Sequence, residues 1–363
     1  MQNLNNILSL RLCGTKSMFT KEKTKLRSLS NKQAKKLKFI IQKKNLIPPK
    51  TTIKVQFTWI YPNISLQDLL KKITNNNDEQ LQTLFNIEVE NIQQQNTDDD
   101  IKIDAIKELL KKYCIIILME QFQPIIGNNI RFQIDTNTST PSIDYQFRIS
   151  FVENDCSTYH LPDALNFYDD TNNPSVATRG TINMGGWFDI STALHELGHA
   201  IGLVHEHQNL CGFNYTWKDK EIIYTYYNVV NGWDKAAVDN NMLDYVVDFD
   251  TIMSIYDPKS IMMYDLPIFL SLNKIEYNNN VRLSPNDVYY INSIYGWKKS
   301  LEELKIWYNT TIGEPFILSP STLLNYSTSS YNILYIVLGV LGVLSIFIIC
   351  FLVIFLFKRW KTK

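Results

Sequence analysis

His195-Glu196-Leu197-Gly198-His199-Ala200-Ile201-Gly202-Leu203-Val204-His205-Glu206-His207 reads HExxHxxGxxH, and each fixed position has a mechanical reason. On a helix, His195 and His199 are one turn apart on the same face, so both imidazoles can reach one metal ion. Glu196 lies beside them, close enough to handle the proton of a metal-bound water without being a ligand. Gly202 can take the positive-φ conformation that ends the helix, and the chain then turns back. That turn would bring His205 to the same ion. Three histidines plus an open position make the ligand set of a catalytic zinc, whereas four protein ligands would mark a structural one. Of the chain's five histidines, four fall in this segment.

The 363 residues leave room for one large domain or two small ones, and 45% apolar content supports a true core. Net charge is formally zero but unevenly spread: residues 1–50 hold 13 Lys and Arg against the single acid Glu22. That basic arm could touch anionic lipid or nucleic acid, or serve as a pro-segment. The expectation is a solvated, partly helical arm with no ligand and no nucleic-acid partner. The first twenty residues lack the apolar core and small-residue cleavage site of a secretory signal. Five cysteines (13, 114, 156, 211 and 350) are too few and too irregular for a disulfide framework; Cys156 and Cys211 could pair in an oxidising compartment, but free thiols are expected.

From Pro48-Pro49 the pattern becomes that of a folded domain. Ile53–Ile60 alternates as a strand and Ser65–Ile73 reads as a helix. Residues 75–100, rich in Asn, Gln and Asp, read as a loop, and Ile101–Met119 as a helix with a buried end. Ile130–Asp135, Tyr145–Phe151 and Thr181–Met184 read as strands. The metal helix should run from an Asp189 N-cap to Ile201. Beyond it, Lys218–Val229 is helical and Asp234–Asp248 helical in part. Tyr256–Tyr264 is a tight turn bearing Met and Tyr. Ser284-Pro285 through Gly296 is a closing helix with Ser cap, Pro at its first position and Gly at its end.

Residues 298–332 read as a polar juxtamembrane stalk. Ile333–Phe357 is 25 uncharged residues, long enough to cross a bilayer, followed by Lys358, Arg359, Lys361 and Lys363. A single-pass protein follows. The basic tail favours a cytoplasmic C-terminus with the main domain outside or in a lumen, while the missing signal favours tail-anchored insertion with that domain in the cytosol. The Asn-, Ile- and Lys-rich style is that of an AT-rich genome and would suit a viral or host-membrane protein.

Three separated motifs give this chain its family resemblance. His195 to His207 resembles the astacin form of the metal site. Ser260-Ile261-Met262-Met263-Tyr264 resembles the Met-turn S-x-M-H-Y, with Met263 in place of the His. Leu283-Ser284 with Asp287 and Ile291–Tyr295 resembles the family's last helix. On these residues the chain is similar to metzincin zinc metallopeptidases of the astacin-like or matrixin-like branch over 51–297. The resemblance implies an α+β, zincin-like domain with a twisted mixed sheet, an active-site helix and a Met-turn. It implies one catalytic Zn2+ on His195, His199 and His205, and Glu196 as general base. Met262 would be an apolar floor and Tyr264 a switchable, oxyanion-stabilising ligand; Glu206 would orient the site or meet a mature N-terminus. His207 is expected behind the ligands or at the surface rather than as a fourth ligand, and His160 as structural. After His207 the chain reads Gln208-Asn209-Leu210-Cys211, without the Arg- and Asp-rich continuation of true astacins. The N-terminal region shows neither an aspartate switch nor a matrixin cysteine switch.

The expected activity is that of a membrane-anchored zinc endopeptidase hydrolysing peptide bonds through a zinc-activated water. The alternative is a catalytically silent, membrane-anchored zinc-fold binding or adhesion module. Turnover abolished by a chelator and restored by zinc separates the two.

Overall fold

The computed structural model describes residues 14–15, 41–42, 46–73, 79–137, 142, 144–152, 156–158, 180–209, 213–244, 251–252, 256–295 and 299–318. The expected membrane helix 333–357, the basic tail, His160, Gly296, Cys211 and most of the arm lie outside these residues. Among the described residues no helix is long and apolar enough to cross a membrane.

Strands are β1 (Gly14–Thr15), β2 (Ile41–Gln42), β3 (Thr51–Ile60), β4 (Ile130–Asp135), β5 (Phe147–Phe151), β6 (Cys156–Thr158), β7 (Ile182–Met184) and β8 (Thr251–Ile252). Helices are α1 (Leu66–Ile73), α2 (Gln80–Gln93), α3 (Asp99–Ile116), α4 (Gln123–Ile126), α5 (Ile190–Ala200), α6 (Lys220–Asn231), α7 (Lys235–Val238), α8 (Pro285–Tyr295) and α9 (Leu301–Thr311). The mixed sheet runs β1-β6-β7-β5-β3-β4, and β2 pairs separately with β8. Strands β4, β3, β5 and β7 are mutually parallel; β6 alone is antiparallel to its neighbour β7. In β3, Ile53, Val55 and Phe57 alternate with Gln56 and Thr58, and all five are buried, as befits a strand covered on both faces.

Helix α3 continues through a π-helical turn, Ile117–Phe122, into α4. Pro124 is the physical cause: it has no N–H to offer and its ring would meet the carbonyl four residues back, so the helix widens just before it. Gly127, at φ 77, then ends α4.

The structure corrects the expected loop at 75–100, where α2 stands. Glu79 caps it by accepting from Gln82 N at 2.8 Å, and Phe85 and Val89, four apart, face the core. Amides conceal this apolar spacing, yet Gln forms helix nearly as well as Lys or Glu. The helix also supports the start of α5. Buried Gln82 accepts from Ile190 N at 2.8 Å, satisfying one of that helix's unpaired first-turn donors. Phe85 packs on Tyr113 (ring centroids 5.1 Å) and on Phe188 (5.4 Å), two residues before α5. From α1, Lys72 Nζ donates to Gly185 O and Gly186 O, and Lys72 O accepts from Phe188 N.

Two further expectations change at the ends. Helix α9 occupies the start of the expected stalk. Ser300 and Glu303 form a capping box, Leu304 and Tyr308 are buried, and Tyr308 Oη donates to Leu283 O at 2.8 Å. The compact unit accordingly extends through Phe316. The basic arm, expected to be solvated, meets the fold twice: β1 pairs parallel with β6, Thr15 opposite Thr158, and β2 pairs with β8. A strand edge presents unpaired N–H and C=O groups that a passing segment can satisfy.

Replacing Phe85 with Ala should cost about 3–5 kcal/mol of stability, read as a lowered urea midpoint. A loop at this position would tolerate the change with almost none.

Candidate metal centre

Asp189 caps α5, its Oδ1 accepting from Thr192 N at 2.7 Å and from Ser191 Oγ at 2.5 Å. One turn apart along this helix, the His195 and His199 rings meet edge to face at 4.6 Å. Gly202 has φ 101; its N–H donates to His199 O at 2.9 Å, and Leu203 N donates to Gly198 O at 3.0 Å. This closure ends the helix and swings His205 round until its ring lies 4.6 Å from that of His199.

The three rings converge through one kind of atom. His199 Nε2 lies 3.1 Å from His195 Nε2 and 3.0 Å from His205 Nε2. The opposite nitrogens of two rings face carbonyls: His195 Nδ1 with Ile261 O at 2.9 Å, and His199 Nδ1 with Leu203 O at 2.8 Å. A carbonyl only accepts, so each Nδ1 carries the proton and each Nε2 presents a lone pair. Burial pushes His195 down to about 4, against the pull of the Ile261 carbonyl, so it is neutral at pH 7. Lone pairs facing one another across ~3 Å repel unless a cation lies between them. Bonds of ~2.0–2.1 Å to a tetrahedral ion would set such nitrogens ~3.3 Å apart. Among the described residues, His195, His199 and His205 form a group able to hold a metal ion, and their donor set fits zinc.

Around this triad stand the other residues singled out from the sequence. Glu196 is fully buried and accepts a hydrogen bond from Thr158 Oγ1, on β6. The Tyr264 ring lies 4.0 Å from His205 and, nearly parallel, 5.6 Å from His195. Met262 is buried, and its Sδ would lie 2.7 Å from a Cβ built on Gly198. His207, buried rather than at the surface, stacks on His205 at 5.4 Å, and its Nε2 faces Asn241 O at 2.8 Å. Burial holds its pKa at about 3. A cleft beside His195 is lined by Ser191, Thr192, Ile261, Met263, Tyr264 and Asn279. Cys156 is a free thiol donating to Trp187 O.

Glu206 Oε1 accepts from Asp257 N (2.8 Å) and Asn209 Nδ2 (3.0 Å), and Glu206 N donates to Met262 O. Burial raises its pKa well above the usual carboxylate value, with the Asp257 charge adding to the rise. Asp257 in turn accepts from Ser284 Oγ at 2.6 Å. Asp287 accepts from Ser260 Oγ, Ile261 N and Ser284 N at 2.7–2.9 Å. Burial, then the Asp257 charge, raises the Asp287 pKa too.

Sequence reasoning gave no site role to Thr158, Gly198 or Asp287. Gly198 left a signal: glycine inside a helix costs about 1 kcal/mol and marks a close approach, here that of Met262. Thr158 left none, since only the sheet brings it to Glu196.

No family model and no curated protein sequence matches this chain. Among solved structures, one of myroilysin is 25% identical, with 72% of this chain and 99% of that one covered, at a TM-score of 0.46. A second myroilysin structure is 23% identical, covering 74% and 97%, at a TM-score of 0.38.

Two measurements check this geometry. Gly198→Ala gains about 1 kcal/mol of helix propensity and loses about 1–3 kcal/mol to overpacking against Met262, so it should destabilise by up to about 2 kcal/mol; adding Met262→Ala should relieve the overpacking term, read as a coupling in a double-mutant cycle. His207 has a folded pKa of about 3 against an ordinary 6.5, so its stabilising term is complete above pH 6.5 and is lost as pH falls towards 3. Between pH 7 and 5 the metal-free wild type should therefore lose about 2 kcal/mol more stability than His207→Gln, in parallel denaturant titrations.

Proposed function

We propose that this chain is a zinc-dependent endopeptidase of the metzincin type, of astacin-like or matrixin-like character, carried on a membrane by its C-terminal apolar run. The observation that carries the peptidase reading is the convergence of three histidine Nε2 atoms, with a buried carboxylate, that of Glu196, on the residue next to His195 in the same helix. The 25 uncharged residues 333–357 support the anchor.

His195, His199 and His205 would hold the ion. When bound, zinc supplies Lewis acidity, which makes water nucleophilic near neutral pH and polarises a carbonyl. The protein's own groups handle the protons. Glu196, next in sequence to His195, takes the proton of the attacking water on its carboxylate. It then returns that proton to the leaving amine, with Thr158 fixing its other oxygen. Tyr264, packed against His195 and His205, directs its phenol at the oxyanion that develops on the scissile carbonyl. Met262 floors the site, Gly202 provides the turn that delivers His205, and Glu206, the next residue, ties that segment to the Asp257–Met263 turn. A protein or peptide substrate is the implied partner. An extended peptide reaching Glu196 along β6 has to displace β1, which pairs with that strand.

Glu196→Gln should bind zinc in the wild-type amount and cleave a peptide library at least a hundredfold more slowly. A chelator should abolish wild-type cleavage, and added zinc should restore it. Cleavage by Glu196→Gln at the wild-type rate, with zinc bound, would overturn the mechanism. Zinc bound without turnover by the wild type would favour the silent binding module.

A further inference from the structure

The groups behind His195 form a directed chain of hydrogen bonds. His195 Nδ1–H donates to Ile261 O at 2.9 Å. The N–H of that same peptide group, Met262 N, donates to Ser260 Oγ at 3.1 Å. Ser260 Oγ donates its own proton to Asp287 Oδ1 at 2.7 Å. Every donor points the same way, from the imidazole towards the carboxylate. Such a chain is cooperative: an acceptor that has given its proton to an anion becomes a better acceptor for the next donor. The other carboxylate oxygen, Oδ2, accepts from Ile261 N and Ser284 N, both at 2.9 Å, so Asp287 and the turn are fixed to each other from two sides. His199 provides a contrast on the same helix, since its Nδ1 meets Leu203 O in a purely local contact four residues away.

We propose that Asp287 is a positioning residue for the metal centre, acting on His195 through the Ser260 hydroxyl and the Ile261–Met262 peptide group. It fixes the tautomer and orientation of His195 and raises the basicity of its Nε2. This deepens the zinc-peptidase reading and rests on its ligand set. The chemistry is that of a carboxylate behind a metal-binding imidazole, with a peptide group and a hydroxyl interposed.

Two variants break the chain differently. In Asp287→Asn, the amide oxygen can still accept from Ile261 N and Ser284 N, but the amide nitrogen meets Ser260 Oγ and forces its proton elsewhere. In Ser260→Ala, the middle link is gone while Asp287 keeps both backbone bonds. Each should weaken zinc binding about tenfold to a hundredfold in competition with a chromophoric chelator. In zinc-loaded protein with 15N-labelled histidine, the His195 Nδ1–H resonance should move upfield in both variants and the His199 resonance should stay in place. If the variants only lose thermal stability, with zinc affinity and the His195 resonance unchanged, Asp287 is a structural residue and the proposal fails. It fails equally if both resonances move together. Should Asp287→Asn not fold, Ser260→Ala decides the matter. Neither readout requires cleavage, so a wild type that binds zinc without turnover would sink the peptidase reading while leaving this one to be settled by the resonances.

Discussion

Three imidazole Nε2 atoms converge, those of His195 and His205 each about 3 Å from that of His199; the lone pairs of His195 and His199 repel each other without a cation, and the surrounding structure is what holds them in place. Two rings come from one helix turn, and a backbone carbonyl behind each sets its tautomer. The third depends on the reversal at Gly202, where positive φ would strain any side chain. Even the helix origin is secured from outside, by Gln82 on the Ile190 N–H and by Phe85 beneath Phe188. A shift of one turn in α5 would lose the convergence, so the contacts that fix its start matter to the site as much as the three histidines do.

The second support is the turn from Asp257 to Met263. Glu206, Asp257 and Asp287 are all buried there, and their hydrogen bonds come from backbone N–H groups, hydroxyls and an amide. Buried carboxylates are costly unless their oxygens are well supplied with donors. Satisfying them in turn determines the shape of the turn: Ile261 O is aimed at His195, Met262 O at Glu206 N, and Met262 Sδ at the gap left by Gly198. Polar satisfaction and close packing thus define one and the same conformation, which suits a site needing sub-ångström placement.

Where the chain misled a sequence reader, the cause was composition standing in for pattern. Helix α2 spaces Phe85 and Val89 correctly for an amphipathic helix, but the Asn and Gln side chains around them suggest a loop. Helix α9 carries a full capping box and buried Leu304 and Tyr308 within a stretch whose Ser, Thr and Asn suggest a stalk. In the basic arm, strands of two residues leave no periodicity to read, and their pairing depends wholly on available edges.

By itself, the sequence determined what acts over short range. Histidines four apart must share a helix face, Asp189 and Ser284 must cap, and a glycine at 202 permits the reversal. These follow from backbone geometry within a few bonds. Only tertiary structure decided which distant groups complete the centre: Thr158 beside Glu196 from 38 residues away, and the Ile261 carbonyl behind His195 from 66. It also decided that Asp287 would stand behind Ser260, 27 residues on. Such meetings are set by how the sheet, α5 and α8 pack together, and a hydrogen bond between remote residues leaves no periodic trace in either one's neighbourhood.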